Sequence, residues 1–481
     1  LDFGLFVCTI HFGDFENKMT YEQKIKGRKI GFIGMARSGV AAAMLARRMG
    51  AVPFVSDSAP ESKLVEATTI FRKNNIPFET GGHTEQLLKN DFLIVSPGVP
   101  SNIPIILEAD RKGIPIFSEI EFASWTCKGK ICAITGSNGK TTTTTLIGEI
   151  INAGGVKAVV CGNIGKPFAE VADAITSDTV AVVEVSSYQL ERIEEFRPKA
   201  ALILNITPDH LDRYKNFEHY QRTKYRIAEN QEHEDILILN ADDAETKPAE
   251  INTKAVKKFF TTDNNKNVLA YVENGQIVLN TNDRATRVMA ASEILIPGPH
   301  NLQNALAAVC AANCFGIESE IMAEVFRKFK GVEHRLEQVG RVAGISFVND
   351  SKATNVDSVC WALRSFERPL YLIAGGRHKG ASYAPLVKFG KGKIKGIIAI
   401  GEAKEIIFDD LGHHFPVQFA DTLENAVQTA FELAIPGDVI LLSPGCASFD
   451  MFDNFEHRGK IFKKAVASLK NGKEKDETVV N

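Results

Sequence analysis

The run Thr135-Gly136-Ser137-Asn138-Gly139-Lys140-Thr141-Thr142 has the residue types to hold a phosphate group. An apolar strand leads into it and a helix leads out. Glycines let backbone N–H groups turn towards an oxyanion, and the helix N-terminus adds partial positive charge. Lys140 is placed to neutralise charge on the β- and γ-phosphates, and the Thr141 hydroxyl to ligate Mg²⁺. The spacing is a shortened variant, because Ile134 stands five residues before Gly139 where the longer pattern has glycine. A Gly-rich turn with an incidental Lys and Thr is the bland alternative.

A nucleoside triphosphate needs a second metal-binding group. Glu184 ends the next apolar strand, VAVVEVSS, and a carboxylate there falls at the C-terminal edge of a sheet beside the phosphate loop. A strand-end Glu facing solvent is its alternative. Asp209-His210 follows another strand end, LILNITPDH, where His210 is either a metal ligand or a satisfied loop histidine. Asp350-Ser351-Lys352 is by itself only a polar turn after a strand, and Lys224 by itself only a surface lysine on an amphipathic helix.

Elements that alternate along the chain must position these groups. Strands are predicted at Lys29–Ile33, Val52–Ser56, Phe92–Val95 and Ile114–Phe117, with an Ala-rich helix over Val40–Met49. The pattern restarts at Lys130–Thr135, followed by a helix to Ile151 and strands at Val180–Val185, Ala201–Asn205 and Ile236–Asn240. It restarts again at Ile345–Asn349, with strands at Leu370–Ala374, Gly396–Ile400 and Val439–Ser443. Strand–helix alternation of this kind predicts parallel sheets covered by helices. The fold class is therefore α/β, as three tandem α/β domains at 19–118, 119–331 and 332–481. Leu1–Lys18 has no initiator Met, no basic n-region and no cleavage signature; it is read as an extraneous extension and left out of the fold argument.

Composition narrows the function classes. The 481 residues are 44% hydrophobic and 24% charged, which is ordinary globular usage. With 56 Lys+Arg against 59 Asp+Glu the net charge is -3, so there is no global basic field for nucleic acid and any anion must be held locally. No apolar run reaches the ~18–20 residues of a membrane span. The eight cysteines form no CxxC pair and read as buried free thiols of a reducing cytosol.

Ten motifs together resemble the ATP-dependent Mur ligases of peptidoglycan synthesis. They are TGSNGKTT (135–142), GNIG (162–165), EVSSYQLE (184–191), NITPDHLDRY (205–214), YQRTKYRIAENQ (220–231), GPHNLQNALAA (298–308), EHRLE (333–337), NDSKATN (349–355), GGRHKG (375–380) and LLSPGCASFDMFDNFEHRG (441–459). The resemblance runs from about Lys29 to Leu469, and NDSKATN with SPGCAS…NFEHRG favours the member that adds D-glutamate. It implies an N-terminal Rossmann-like domain for the UDP moiety, a central P-loop ATPase-type domain and a C-terminal Rossmann-like domain for the amino acid. It implies amide formation between UDP-N-acetylmuramoyl-L-alanine and D-glutamate through an acyl phosphate, with ATP and two Mg²⁺ ions, by a cytoplasmic monomer.

The resemblance also assigns residues. Thr141 and Glu184 hold one metal; His210 and Lys224 serve the second, Lys224 as a carbamate that inverts its charge. Asn301 positions the adenine, Arg335 reaches the γ-phosphate, Asp350 binds the ribose and Lys352 lies close to the phosphates. Asn163 contacts the muramoyl-peptide. Thr354, Lys379 and Ser448 receive D-glutamate, with Phe455 through its backbone. Arg37, Ser38 and Asp57 belong to the UDP site. A dinucleotide-binding domain is the competing reading of that first part, since Asp57 stands 23 residues after Gly34. Its G-x-G-x-x-G pattern fails because Ala36 takes the second glycine position, and Ser58-Ala59 follows Asp57 where the family often has Thr-Arg. Another amide ligase of the same superfamily and a nucleotide-dependent switch without ligation are the other functions considered; candidate catalytic groups in all three parts speak against the switch.

Overall fold

The computed structural model describes residues 21–209, 213–281, 284–296 and 298–479. The leading segment Leu1–Lys18 and His210 lie outside the described residues. Two compact units divide between Thr126 and Cys127.

The first unit carries β1 Lys29–Ile33, β2 Val52–Asp57, β3 Phe78–Thr80, β4 Phe92–Val95 and β5 Ile116–Ser118. They form a parallel sheet in the order β3-β2-β1-β4-β5. Strands covered on both faces read as apolar runs, and Ile30, Phe32 and Ile33 are fully buried. The helix Arg37–Arg48 buries Ala42, Ala43, Leu45 and Ala46, small side chains that let it lie close to the sheet. Strand order reverses between β1 and β4, which opens a crevice at their C-terminal ends. After β5, the short helix Glu119–Ser124 brings Trp125 into an edge-to-face cluster with Phe92, Phe117 and Phe122.

The second unit holds two sheets. The larger comprises β6 Lys130–Thr135, β7 Lys157–Gly162, β8 Thr179–Glu184, β9 Ala200–Ile203, β10 Ile236–Asn240, β11 Val256–Phe260, β12 Ala270–Glu273, β13 Gln276–Thr281 and β14 Arg284–Ala290. Its order is β14-β13-β12-β11-β10-β9-β6-β8-β7, with only the β12–β13 and β13–β14 pairs antiparallel. The other comprises β15 Glu337–Val342, β16 Ile345–Asn349, β17 Leu370–Gly375, β18 Ile394–Ile400, β19 Val417–Phe419 and β20 Val439–Leu442, in the order β15-β16-β20-β17-β18-β19. Here β15 alone is antiparallel.

The helix Lys140–Ala153 seats the phosphate loop firmly. Its Leu146, Ile147, Ile150 and Ile151 are fully buried, each worth about 1.5–3 kcal/mol relative to exposure. The helix Pro299–Cys314 lies against it and is buried from Asn304 through Ala312. A helix apolar all round is one packed on several sides.

The predicted strands recur with ends shifted by a residue or two. The predicted Ile114–Phe117 strand begins only at Ile116, after Pro115, whose missing N–H suits a strand edge. Strands β3, β7, β11–β15 and β19 went unpredicted. The seven described cysteines form no disulfide, and five of them are buried.

Candidate active site

β6 lies between β8 and β9, so the turns after these three strands emerge side by side at one sheet edge. The phosphate loop follows β6. Gly136 (φ +148°) and Gly139 (φ +83°) take conformations that side chains rarely adopt, and a Cβ on Gly139 would stand 2.3 Å from Asn304 Oδ1. Gly139 starts the helix without a side-chain cap, which leaves its first N–H groups facing the loop. Lys140 folds back, donating to the carbonyl oxygens of Gly136 (2.8 Å) and Ser137 (2.9 Å). Burial lowers the pKa of its ammonium, while Glu184 and Asp209 oppose that shift.

Glu184 ends β8 opposite Ile134 and Gly162. It is buried, and its two oxygens are divided: Oε2 accepts the Thr141 hydroxyl at 2.8 Å, and Oε1 accepts Asn163 Nδ2 at 3.0 Å. Three of the expected residues, from a helix start, a strand end and a turn, thus meet at one carboxylate.

Lys224 lies on the helix Phe217–Tyr225 and is 1% exposed. Its Nζ donates to Gly136 O at 2.9 Å and sits 4.7 Å from the centre of the Tyr220 ring. Burial, and then the Lys140 charge, push its pKa far below the usual lysine range. A surface lysine is ruled out. Tyr220 adds a second tie to the loop, its hydroxyl 2.9 Å from Ser137 Oγ.

The last sheet delivers a second set. Asp350 follows β16 and is fully buried; Oδ2 accepts the Ser443 hydroxyl at 2.9 Å and Oδ1 accepts Leu336 N at 3.2 Å. Arg335 Nη1 lies 3.4 Å from the same Oδ1. Burial raises the Asp350 pKa against the pull of Arg335. His334 (φ +65°) and Leu336 (φ +44°) flank Arg335 in left-handed backbone, strained conformations worth about 1–3 kcal/mol each that tertiary contacts must hold. Lys352 stands 4.9 Å above the Phe455 ring, its pKa pushed down to about 8, chiefly by burial.

A cavity of about 280 Å³ joins these groups. Ser137, Asn138, Gly139, Lys140, Thr141 and Thr142 line one side together with Asn163 and Glu184; Arg335, Lys352, Thr354 and Phe455 line the other. Lys379 stands at its margin, with Nζ 4.0 Å from Asp209 Oδ1. Lys224 and Asp350 lie behind the lining, holding Gly136 and Arg335. Ser448 is buried and does not line the cavity; its carbonyl caps the turn to Met451 and Phe452.

A smaller cavity of about 150 Å³ adjoins, between Asn138, Asn240, Asp242, His300, Asn304 and Trp361. Asn304 lines it, whereas Asn301 stands behind, its Oδ1 accepting Asn304 Nδ2 at 3.0 Å. Neither ring nitrogen of the buried His300 has a hydrogen-bond partner, and burial pushes its pKa to about 3, so the imidazole is neutral.

In the first unit, Asp57 Oδ2 accepts Met35 N (2.7 Å) and Oδ1 accepts Ala59 N (2.8 Å). Asp57 therefore fixes the turn after β1. Arg37 and Ser38 open the following helix, whose first turn has no side-chain cap.

Several contributors escaped the sequence reading. Tyr220 and Asn304 stand within the motifs at 220–231 and 298–308 but were assigned no role, and Trp361 lies in no motif. Arg458, fully buried, donates to Ser351 Oγ (3.0 Å), Ser351 O (2.7 Å) and Cys446 O (3.2 Å); its place in NFEHRG was the available signal. Among the described residues, Glu333, His334 and Glu337 bring ligand atoms within 4.8 Å of one another, but Lys463 Nζ already pairs with both glutamates, at 2.6 and 2.8 Å.

Lys140, Arg335 and Lys352 line one cavity with the Glu184 and Asp209 carboxylates, a charge arrangement suited to an α/β enzyme that handles phosphoryl groups. Residues 29–103 match the MurD N-terminal domain, 134–312 the Mur ligase middle domain, and 334–446 the Mur ligase glutamate ligase domain. The chain is 43% identical to the UDP-N-acetylmuramoylalanine–D-glutamate ligase of Chloroherpeton thalassium, over 94% of its own length and 100% of the relative's. It is 41% identical to the ligase of that name from Koribacter versatilis, over 92% and 98%. Its fold resembles that of the UDP-N-acetylmuramate–alanine ligase MurC of Thermotoga maritima (TM-score 0.59, 19% identity, 92% and 99% covered). The MurF ligase of the same organism, solved with ADP, gives a TM-score of 0.56 at 14% identity, covering 94% and 97%. The chain belongs to the Mur ligase family, ATP-dependent ligases that form amide bonds.

Proposed function

We propose that the protein joins D-glutamate to UDP-N-acetylmuramoyl-L-alanine, converting ATP to ADP and phosphate and yielding UDP-N-acetylmuramoyl-L-alanyl-D-glutamate. The observation that carries this reading is the 280 Å³ cavity, with a phosphate loop on one wall and Arg335, Lys352 and Thr354 of the glutamate-ligase match on the other. The relatives named for this reaction support it.

The chemistry requires two anions to meet. The substrate carboxylate oxygen attacks the γ-phosphorus, ADP leaves, and an acyl phosphate forms. Lys140 and Lys352 screen the repulsion, and the Arg335 guanidinium follows the phosphoryl group, whose geometry it matches in two hydrogen bonds. The amine of D-glutamate then attacks the acyl carbon and phosphate leaves. Asn163 orients the muramoyl-peptide, and Thr354, Lys379 and the Phe455 backbone form the D-glutamate site, while Ser448, buried and outside the cavity lining, does not reach it in this structure. The smaller cavity takes the nucleoside, with Asn304 at the base, Asn301 bracing it, and Asp350 holding Arg335 at the ribose side.

The oxygens of Thr141 and Glu184 fit a Mg²⁺ ion, which would supply charge neutralisation at the phosphate oxygens. Lys224 as an ammonium does not fit a second ion. Burial, and then the Lys140 charge, lower its pKa and so favour the neutral amine, the form that adds to CO₂ to give a carbamate with oxygen ligands. His210 completes that set in this reading. Arg37, Ser38 and Asp57 hold the UDP group, at the uncapped helix start and the turn that Asp57 fixes.

The working division is 19–118 for UDP, 119–331 for ATP and 332–481 for the amino acid. Among the described residues no helix is long and apolar enough to cross a membrane. We read the protein as a cytoplasmic monomer acting on small molecules, without nucleic-acid binding. Substrate labelled with ¹⁸O in the alanyl carboxylate tests the acyl phosphate: one label should appear in each phosphate released, and unlabelled phosphate would exclude that route.

A further inference from the structure

The phosphate loop is gripped by side chains of the last sheet's first helix. Asn138 Nδ2 donates to Asp357 Oδ2 at 2.7 Å, and Asn138 Oδ1 accepts the Ser358 hydroxyl at 2.6 Å. Thr207, after β9, donates to the same Asp357 oxygen at 3.3 Å. Both ends of one amide are thus engaged, and its orientation is fixed, because a flipped amide would set its oxygen against the Asp357 carboxylate.

The gripping residues are held in their turn. They open the helix Val356–Arg364, where a carboxylate is favoured by the helix dipole. The Asn355 cap accepts Ser358 N at 2.8 Å and donates to Asp209 Oδ2 at 3.0 Å. The backbone of Asn138 is fixed independently, by Asn205 at 2.8 and 3.1 Å. The side-chain contacts are therefore not needed to shape the loop. What they join is the middle-domain match (134–312) to the glutamate-ligase match (334–446).

We propose that Asp357 and Ser358 are positioning residues that latch the amino-acid-binding part onto the phosphate loop, so that the acyl phosphate forms only in a closed, dry site. The proposal rests on the ligase reading. With the latch open, water competes with the amine: its oxygen bonds to the acyl carbon, the carbon–oxygen bond to phosphate breaks, and carboxylate, phosphate and a proton are released. ATP is then spent without an amide being made.

The test compares phosphate released with amide formed by wild type, Asp357→Ala, Ser358→Ala and the double variant, supplied with ATP, Mg²⁺, UDP-N-acetylmuramoyl-L-alanine and D-glutamate. Hydrogen-exchange mass spectrometry of the same proteins without substrates reports the loop directly. Removing the three hydrogen bonds that Asp357 and Ser358 make to Asn138 and Thr207 should shift a closed–open equilibrium by roughly tenfold or more. The wild-type ratio should be one, the double variant should release several phosphates per amide, and exchange at residues 136–142 should quicken. Asp357→Asn, which keeps an acceptor oxygen, should return the ratio towards one. A merely structural role would lower amide and phosphate together. An unchanged ratio and unchanged exchange in Ser358→Ala, a substitution too small to unfold the domain, would overturn the latch. A wild type that makes no amide would overturn the ligase reading, and the exchange comparison would still decide the latch.

Discussion

Lys224 Nζ lies 2.9 Å from the carbonyl oxygen of Gly136, so a buried lysine braces the loop that meets the phosphates. Burial, and then the Lys140 charge, oppose its protonation against the pull of Asp209. Lys224→Ala should be nearly inactive and should regain part of its rate when a short carboxylate such as acetate is added. Full activity without added acid, in a steady-state assay, would eliminate a carbamate on this residue.

Glu184 accepts one hydrogen bond on each oxygen, from Thr141 and from Asn163. Glu184→Gln keeps the size and most hydrogen bonds but removes the charge. A loss of about 10²–10³ in kcat is expected from removing one electrostatic partner of the transition state. Titration with Mg²⁺ should show a raised half-saturating concentration at an unchanged melting temperature. An unaltered Mg²⁺ dependence would assign the metal elsewhere.

The depressed pKa of Lys352 gives a pH signature. Its charge is present below about 8 and lost above, compared with 10.5 for the exposed side chain. Between these values the unfolded chain holds more protons, so this group's contribution to stability improves as pH rises through the window. Activity runs the other way, because the cation is lost. The kcat/KM for ATP should fall above pH about 8, and Lys352→Arg should move that limb upward. A flat wild-type profile to pH about 9.5 would contradict this role.

Arg458 has no carboxylate partner among its hydrogen bonds and instead ties the carbonyls of Ser351 and Cys446 together. Burial lowers its pKa to about 10, still charged at neutral pH. Arg458→Met leaves those buried acceptors unmatched, an expected loss of about 2–4 kcal/mol in urea denaturation. A loss below about 0.5 kcal/mol would mean that water replaces the guanidinium without penalty.

Legibility in the sequence followed burial and periodicity. Strands such as β6, β8 and β9 are short continuous apolar runs, and their ends and the segments after them bring Lys140, Glu184 and Asp209 to one cavity. β11–β14 mix charges with β-branched residues on partly exposed faces, so no run stands out. The turn Asn274-Gly275, both residues at positive φ (50° and 73°), is a hairpin signal that was available in VENGQIV. The site was legible where a motif carried it. Asn301 against Asn304 could not be decided, because both lie within one helical turn and only packing shows which faces the cavity. The Asn138–Asp357 contact joins residues 219 positions apart, and no local pattern encodes it.

The central claim is tested most directly by supplying the protein with UDP-N-acetylmuramoyl-L-alanine, ATP and Mg²⁺, and then one amino acid at a time, with the product weighed by mass spectrometry. D-glutamate should give the UDP-linked dipeptide with one phosphate per amide, and ADP should not accumulate without the UDP substrate. Equal rates with L-glutamate, L-alanine or meso-diaminopimelate, or no amide with D-glutamate, would contradict the account.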